Sequence, residues 1–325
     1  MLKTLLLKTC HILLCLCVAL PAYAQSISEA NLEFARELRA QFATSTEEVG
    51  VAEPVREIRD ITVAAQDPAR EIPTRLYLPA HAATTDLPVI VFVHGGGFVA
   101  GDLDSYDPLM TALANRVQAA VLSVDYRLAP ETPFPGGLED VYAVVAWASV
   151  NAPSFGGDGT RLAVSGDSAG GNIAAATSML ARDRDGPKIA AQLLMYPTLS
   201  NKMDTDSWNE LGDTYFPTRE INSRVIEAYV PEGTSHYDPL VAPLWGDHHD
   251  LPPTLIIVGS LDPLLDEARD YVAALNNVGG EAKVVVYEGA EHAFLQFFQN
   301  QETSPSGDSA LSVGAEFLVE KLSAD

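Results

Sequence analysis

Cysteine is scarce in this chain of 325 residues: there are three, Cys10, Cys15 and Cys17, all in the first seventeen positions. Beyond them the sequence has no thiol and no means of forming a disulfide, so its stability must rest on a packed core. Positive charge is short as well, with 20 Lys and Arg against 44 Asp and Glu and a formal net charge of −24. So acidic a surface repels phosphate backbones and anionic headgroups, which argues against nucleic acid and anionic membranes as partners. No internal repeat or low-complexity tract is visible. Regular metal-ligand spacing is also missing. Trp245-Gly-Asp-His-His-Asp250 reads as a solvated loop, and Asp102-Leu-Asp-Ser-Tyr-Asp107 lacks the glycine and distal glutamate of a calcium loop. Neither a metal nor an organic cofactor is expected.

The first 24 residues read as a leader. Lys3 and Lys8 give a positive start, 12–20 is apolar, and Ala22-Tyr23-Ala24 fits the small-x-small cleavage rule. Pro21 and the shortness of the apolar stretch weigh against a membrane anchor, and neither Cys15 nor Cys17 has a small residue before it, as a lipoprotein site would need. Cleavage after Ala24 removes two lysines and no acids, taking the formal charge from −24 to −26. The expectation is an exported protein, periplasmic or secreted, with no stable membrane association after cleavage.

The rest of the chain, 47% hydrophobic over the full sequence, suffices for one large α/β domain. Apolar strand-like runs at 89–93, 120–124, 162–165, 191–196, 254–259 and 283–287 alternate with helix-like segments such as 141–148. Two antiparallel strands near 55–63 and 71–78 would complete a mixed sheet.

Two glycine-rich stretches carry the chemistry. Gly166-Asp-Ser-Ala-Gly-Gly171 stands between the strand-like 161–165 and the helix-like 172–181, so the backbone must turn sharply at Ser168. Such an elbow leaves the Ser168 hydroxyl exposed above the sheet and aims the Ala169 N–H at whatever the serine attacks. His94-Gly-Gly-Gly-Phe98 directly follows the run Val89-Ile-Val-Phe-Val93. Three glycines there bury nothing, and they make sense where N–H groups must approach a ligand closely. Gly96, Gly97 and Ala169 would then supply three donors to an oxyanion.

These stretches, together with Asp125-Tyr-Arg-Leu-Ala-Pro-Glu131, Asp262-Pro-Leu-Leu-Asp-Glu267 and Glu291-His-Ala-Phe294, resemble the hormone-sensitive-lipase-like group of bacterial family IV α/β-hydrolase carboxylesterases. The resemblance runs over roughly residues 70 to 322. It implies an α/β-hydrolase fold, a mostly parallel mixed sheet flanked by helices, under a helical cap. It also implies a triad in the chain order Ser168, Asp262, His292, with His292 as base and Asp262 orienting it. Asp266 and Glu267 compete for the acid's role, but Asp262 stands right after the strand. His94 resembles a residue that holds the oxyanion loop by hydrogen bonds.

The organisation read from this is a leader at 1–24, an amino-terminal cap segment at 25–50, core at 51–199, a cap insertion at 200–236, and core again at 237–325. A capping-box-like Ser26-Ile-Ser-Glu29 and the spacing of Phe34, Leu38 and Phe42 predict a helix in the first cap segment. In the second, Trp208 and Phe216 are the candidates to line a substrate pocket. The implied activity is hydrolysis of short acyl esters by a serine carboxylesterase, with a small-molecule ester as substrate; the same triad would also serve a lactonase or a carbohydrate acetyl-esterase. A homodimer joined at the sheet edge is common in the resembled family. Non-catalytic receptors share the fold but lack the histidine that this chain has at position 292.

Overall fold

The computed structural model describes residues 27–45, 49–66, 69–81 and 85–323. The expected leader, 1–24, and Ser26 of the expected capping box lie outside the described residues.

Eight strands form one sheet: β1 (Glu57–Gln66), β2 (Ala69–Leu78), β3 (Leu87–Val93), β4 (Ala120–Val124), β5 (Gly157–Asp167), β6 (Ala191–Met195), β7 (Thr254–Gly259) and β8 (Ala282–Tyr287), in the order β1-β2-β4-β3-β5-β6-β7-β8. β2 runs antiparallel to β1 and to β4, and every other pairing is parallel. This is the α/β-hydrolase fold. β3, β4, β6 and β7 are buried along nearly their whole length, as apolar runs covered on both faces must be.

Helices α2 (Asp107–Val117), α3 (Gly136–Asn151), α4 (Ala169–Asp183), α7 (Leu265–Asn277) and α8 (Gly307–Lys321) cover the two faces. The segment 141–148 is the middle of α3, and α4 contains the predicted 172–181. Asp140 of α3 is 1% exposed and ion-paired to Arg70 of β2 and Arg127, which ties that helix to the antiparallel end of the sheet.

β5 differs from its expected start: it begins at Gly157, five positions before the apolar run that reveals it. Its opening Gly-Asp-Gly has no strand pattern, but a Cβ at Gly159 would overlap the Ser149 backbone of α3. Close approach to a helix, not hydrophobicity, selects that residue.

Three further helices, α1 (Glu29–Ser45), α5 (Asp206–Leu211) and α6 (Arg219–Tyr229), form a cap over the carboxyl ends of the parallel strands. Ser28 serves at the start of α1, its hydroxyl accepting the Asn31 N–H at 3.1 Å. Thr205 and Thr218 cap α5 and α6 through the N–H groups of Trp208 and Ile221. α1 packs on α6, with the Arg224 guanidinium 4.3 Å from the centre of the Phe34 ring. Arg39 anchors α1 to the body, bonding the Val99 and Ala129 carbonyls and both oxygens of Glu131.

Candidate active site

Parallel strands bring the loops at their carboxyl ends to one edge, and four of those loops meet under the cap. The first is the turn after β5. Ser168 has φ 53° and ψ −120°, a conformation costly for any residue with a Cβ. Hydrogen bonds hold it: the Ser168 N–H donates to the Met195 carbonyl, and the Ser168 carbonyl accepts from Asn172 and Thr198. A Cβ at Gly166 would overlap the Gly170 carbonyl, and one at Gly170 would overlap that of Val93. Only glycine lets β5, α4 and β3 come this close.

The second loop follows β7 and carries Asp262, and the third follows β8 and carries His292. The Ser168 hydroxyl lies 2.9 Å from His292 Nε2, and His292 Nδ1 lies 2.8 Å from Asp262 Oδ2. Asp262 Oδ1 accepts the Leu264 N–H at 2.9 Å. With a carboxylate accepting at Nδ1, the ring carries its proton there and leaves Nε2 free to accept from the serine. Both side chains are almost wholly buried, and the Tyr196 ring meets the imidazole edge-on at 4.9 Å. Such a relay can raise the nucleophilicity of the serine and stabilise the imidazolium that results.

The fourth loop is His94-Gly-Gly-Gly after β3. Gly96 and Gly97 have φ of 114° and 62°. The Gly96 carbonyl turns back to accept from Val99 and Ala100. Among the described residues, the N–H groups of Gly96, Gly97 and Ala169 have no protein acceptor, which leaves them free to receive a negative oxygen beside Ser168. His94 is fully buried, stacked on Tyr126 at 4.5 Å, with Nδ1 bonded to the Gly95 carbonyl at 2.8 Å. Burial holds its pKa below the usual histidine value, so the ring supports the loop in neutral form.

Two carboxyls that the sequence reading did not place in these roles stand behind the site. Asp167 is buried and accepts from the Gly95 N–H at 2.7 Å and from the Tyr106 hydroxyl at 3.0 Å. It thereby ties the nucleophile turn to the oxyanion loop, and burial pushes its pKa up to about 6. The signal was an acid at the end of an apolar strand, directly before the serine turn, since a carboxyl there must find donors within the core. Glu267 is 0% exposed; it accepts the Leu199 and Ser200 N–H groups at 2.6 and 2.5 Å on one oxygen and the Trp208 indole N–H at 3.1 Å on the other. Burial pushes its pKa up to about 8 against the pull of those donors.

Trp208 therefore does not line the substrate pocket, contrary to expectation. It is 1% exposed and packs under α5, with its indole bonded to Glu267. Phe216 does line the pocket, its ring 5.6 Å from that of His292. The pocket, about 590 Å³ including its mouth, reaches from Ser168 to the cap and is walled there by Leu38 and Phe42 of α1, Phe216, and Ile221 and Val225 of α6.

The other candidates fall elsewhere. Asp266 accepts the Ser207 N–H and pairs with Arg269. His248, expected in a solvated loop, is buried against the Tyr271 ring at 5.2 Å, whereas His249 is exposed. Asp104 and Asp107 of the acidic run bind Arg75. Among the described residues no group of three or more His, Cys, Asp or Glu stands close enough to hold a metal.

A family profile described as alpha/beta hydrolase fold matches residues 90–296. The chain is 39% identical over 248 residues to carboxylesterase NlhH of Mycobacterium tuberculosis, covering 75% of this chain and 77% of that protein. It is 30% identical over 281 residues to ethyl acetate hydrolase of Pseudomonas putida, covering 84% and 87%. Among solved structures it resembles EstE1, a thermostable carboxylesterase from a metagenomic library, with TM-score 0.83 and 33% identity over 90% of this chain and 98% of that one.

Proposed function

Since the chain belongs to the hormone-sensitive-lipase-like group of the α/β-hydrolase family and is a carboxylic ester hydrolase, we propose that it cleaves short acyl esters through a covalent acyl-enzyme on Ser168. The observation that carries the mechanism is the continuous run of hydrogen bonds from Ser168 through His292 to Asp262, set beside three N–H groups that have no acceptor among the described residues.

In this mechanism Ser168 Oγ attacks the ester carbonyl as its proton passes to His292 Nε2, and Asp262 stabilises the imidazolium. The carbonyl oxygen becomes an oxyanion held by Gly96, Gly97 and Ala169. When the intermediate collapses, the carbon–oxygen bond to the alcohol breaks, and His292 returns the proton to the departing alkoxide. Water then repeats the sequence on the acyl-enzyme: His292 takes one proton from it, and Ser168 leaves with that proton restored. Apart from the ester and that water, each step uses groups of this chain.

The preference for short acyl chains is supported by the cap walls, where Leu38, Phe42, Phe216, Ile221 and Val225 stand over Ser168, and by the small ester named for the Pseudomonas relative. The reading also places the working enzyme outside the cytoplasm, on the strength of the leader-like residues 1–24.

The test is a series of p-nitrophenyl esters from acetate through butyrate and octanoate to palmitate. We expect kcat/KM to peak among the shorter esters and to fall by about a hundredfold or more at palmitate, whose methylenes would find no apolar wall to replace water. Equal or rising kcat/KM towards palmitate would contradict the short-chain reading.

A further inference from the structure

The pocket wall is apolar where the cap faces the serine, with one exception. Asn222 stands on the pocket side of α6 beside Ile221 and three positions before Val225, and it is 6% exposed. Its backbone N–H is used within the helix, bonded to the Thr218 carbonyl. Its side-chain Nδ2 is buried with no hydrogen-bond partner among the described residues. Across the same pocket, Gln296 lies four positions after His292 and is also 6% exposed.

An amide nitrogen offers two donors, and burying the Asn222 Nδ2 unmet is a cost that a leucine at that position would avoid. The terminal torsion of asparagine is soft, so either edge of the amide can turn toward a ligand. The neighbours fix where that ligand would be. Phe216 lies over His292, and the Val225 side chain lies against Gly97 of the oxyanion loop, so Asn222 shares the wall that confronts an ester bound at Ser168.

Resting on the esterase reading above, we propose that Asn222 is a specificity-determining residue that hydrogen-bonds an oxygen substituent next to the scissile ester. The substrate class is then oxygenated esters, those bearing an alkoxy, keto, hydroxyl or second ester group, in preference to plain alkanoates. A site that meets such an oxygen discriminates strongly against the hydrocarbon analogue, because that analogue leaves the buried amide unpaired.

Two isosteric pairs test this. On the acyl side, p-nitrophenyl methoxyacetate is compared with p-nitrophenyl butyrate; on the alcohol side, methoxyethyl butyrate is compared with n-butyl butyrate. For each pair the ratio of kcat/KM, oxygenated over hydrocarbon, is measured in wild type and in Asn222→Leu, so that the intrinsic reactivity of the esters cancels. We expect the ratio to fall about tenfold in one pair, with a Tm no lower than wild type because an unpaired polar group has been removed. A fall of about threefold or more supports the assignment, and a smaller change in both pairs overturns it. Equal slowing of both members with a lowered Tm also overturns it, since that is the signature of a structural asparagine or one satisfied by a bound water. Asn222→Ala is measured in parallel in case leucine does not fit. If wild type hydrolyses butyrate and the ratios do not move, this inference alone fails; if wild type hydrolyses no ester, the esterase reading fails and takes the inference with it.

Discussion

Ser168→Ala is expected to lower kcat for p-nitrophenyl butyrate by a factor on the order of 10⁶ while leaving the Tm within a few degrees of wild type. The size of the loss follows from what is removed. Without the hydroxyl there is no acyl-enzyme, and only the oxyanion donors and substrate binding remain. Folding changes little, because alanine keeps the Cβ and the backbone bonds to Met195, Asn172 and Thr198 that hold the turn at φ 53°. His292→Ala should cost a similar factor, and the double variant no more than either single one, since the two side chains act as a unit. Asp262→Asn should cost about 10⁴, by favouring the ring tautomer that cannot accept the serine proton. Additive losses in the double variant would contradict the relay.

The second large effect is expected in the oxyanion loop, where two adjacent glycines should respond very differently to alanine. Gly96 has φ 114°, which L side chains rarely adopt, and an added Cβ would overlap the Ala100 carbonyl. That carbonyl is backbone in the same tight loop, so relief requires the loop to move, and the Gly96 and Gly97 N–H groups move with it. Each misplaced donor is worth on the order of 3 kcal/mol of transition-state stabilisation, so kcat for Gly96→Ala should fall about a thousandfold or more. Gly97 has φ 62°, reachable for alanine at about 1–2 kcal/mol. Its added Cβ would sit 2.9 Å from Val225 Cγ2, the end of a side chain that can rotate away. Gly97→Ala should therefore keep activity within about tenfold to thirtyfold of wild type, its main cost being backbone strain. Steady-state kinetics on p-nitrophenyl butyrate measure both; equal effects from the two substitutions would mean that the position of the loop backbone does not set the rate.

The contrast also shows why some of the site was legible in the sequence. Glycines at 96, 166 and 170 are local statements, because each marks a place where the backbone itself forbids a side chain. Asp262 could be preferred to Asp266 and Glu267 for a similar reason, since the first residues beyond a parallel strand are the ones delivered to the site edge. What stayed hidden depended on partners far away in the chain. Trp208 is an aromatic in a cap segment, and nothing in its neighbourhood says whether it faces the ligand or the body. The deciding contact is with Glu267, 59 residues later. Asn222 was missed for the opposite reason: an asparagine on a short amphipathic helix reads as a surface residue until both walls of the pocket are in place. The early start of β5 belongs to the same class, because its Gly-Asp-Gly is selected by the Ser149 backbone and not by any periodicity.

The cap has a further consequence for how the site is held. Glu267 joins three elements at one buried point: α7, to which it belongs; the Leu199–Ser200 segment entering the cap; and Trp208 of α5. Its helix begins three residues after Asp262. One side chain of the helix that follows the acid loop therefore holds the cap base.

The central claim is that Ser168 is the nucleophile, and the most direct measurement is the intact mass of the protein after incubation with a p-nitrophenyl alkylphosphonate, followed by peptide mapping. The account predicts one phosphonyl group per chain, located on the peptide containing Ser168, loss of ester hydrolysis in proportion to labelling, and no adduct in Ser168→Ala. An adduct on another residue, or full hydrolytic activity in a protein whose Ser168 is completely labelled, would contradict it.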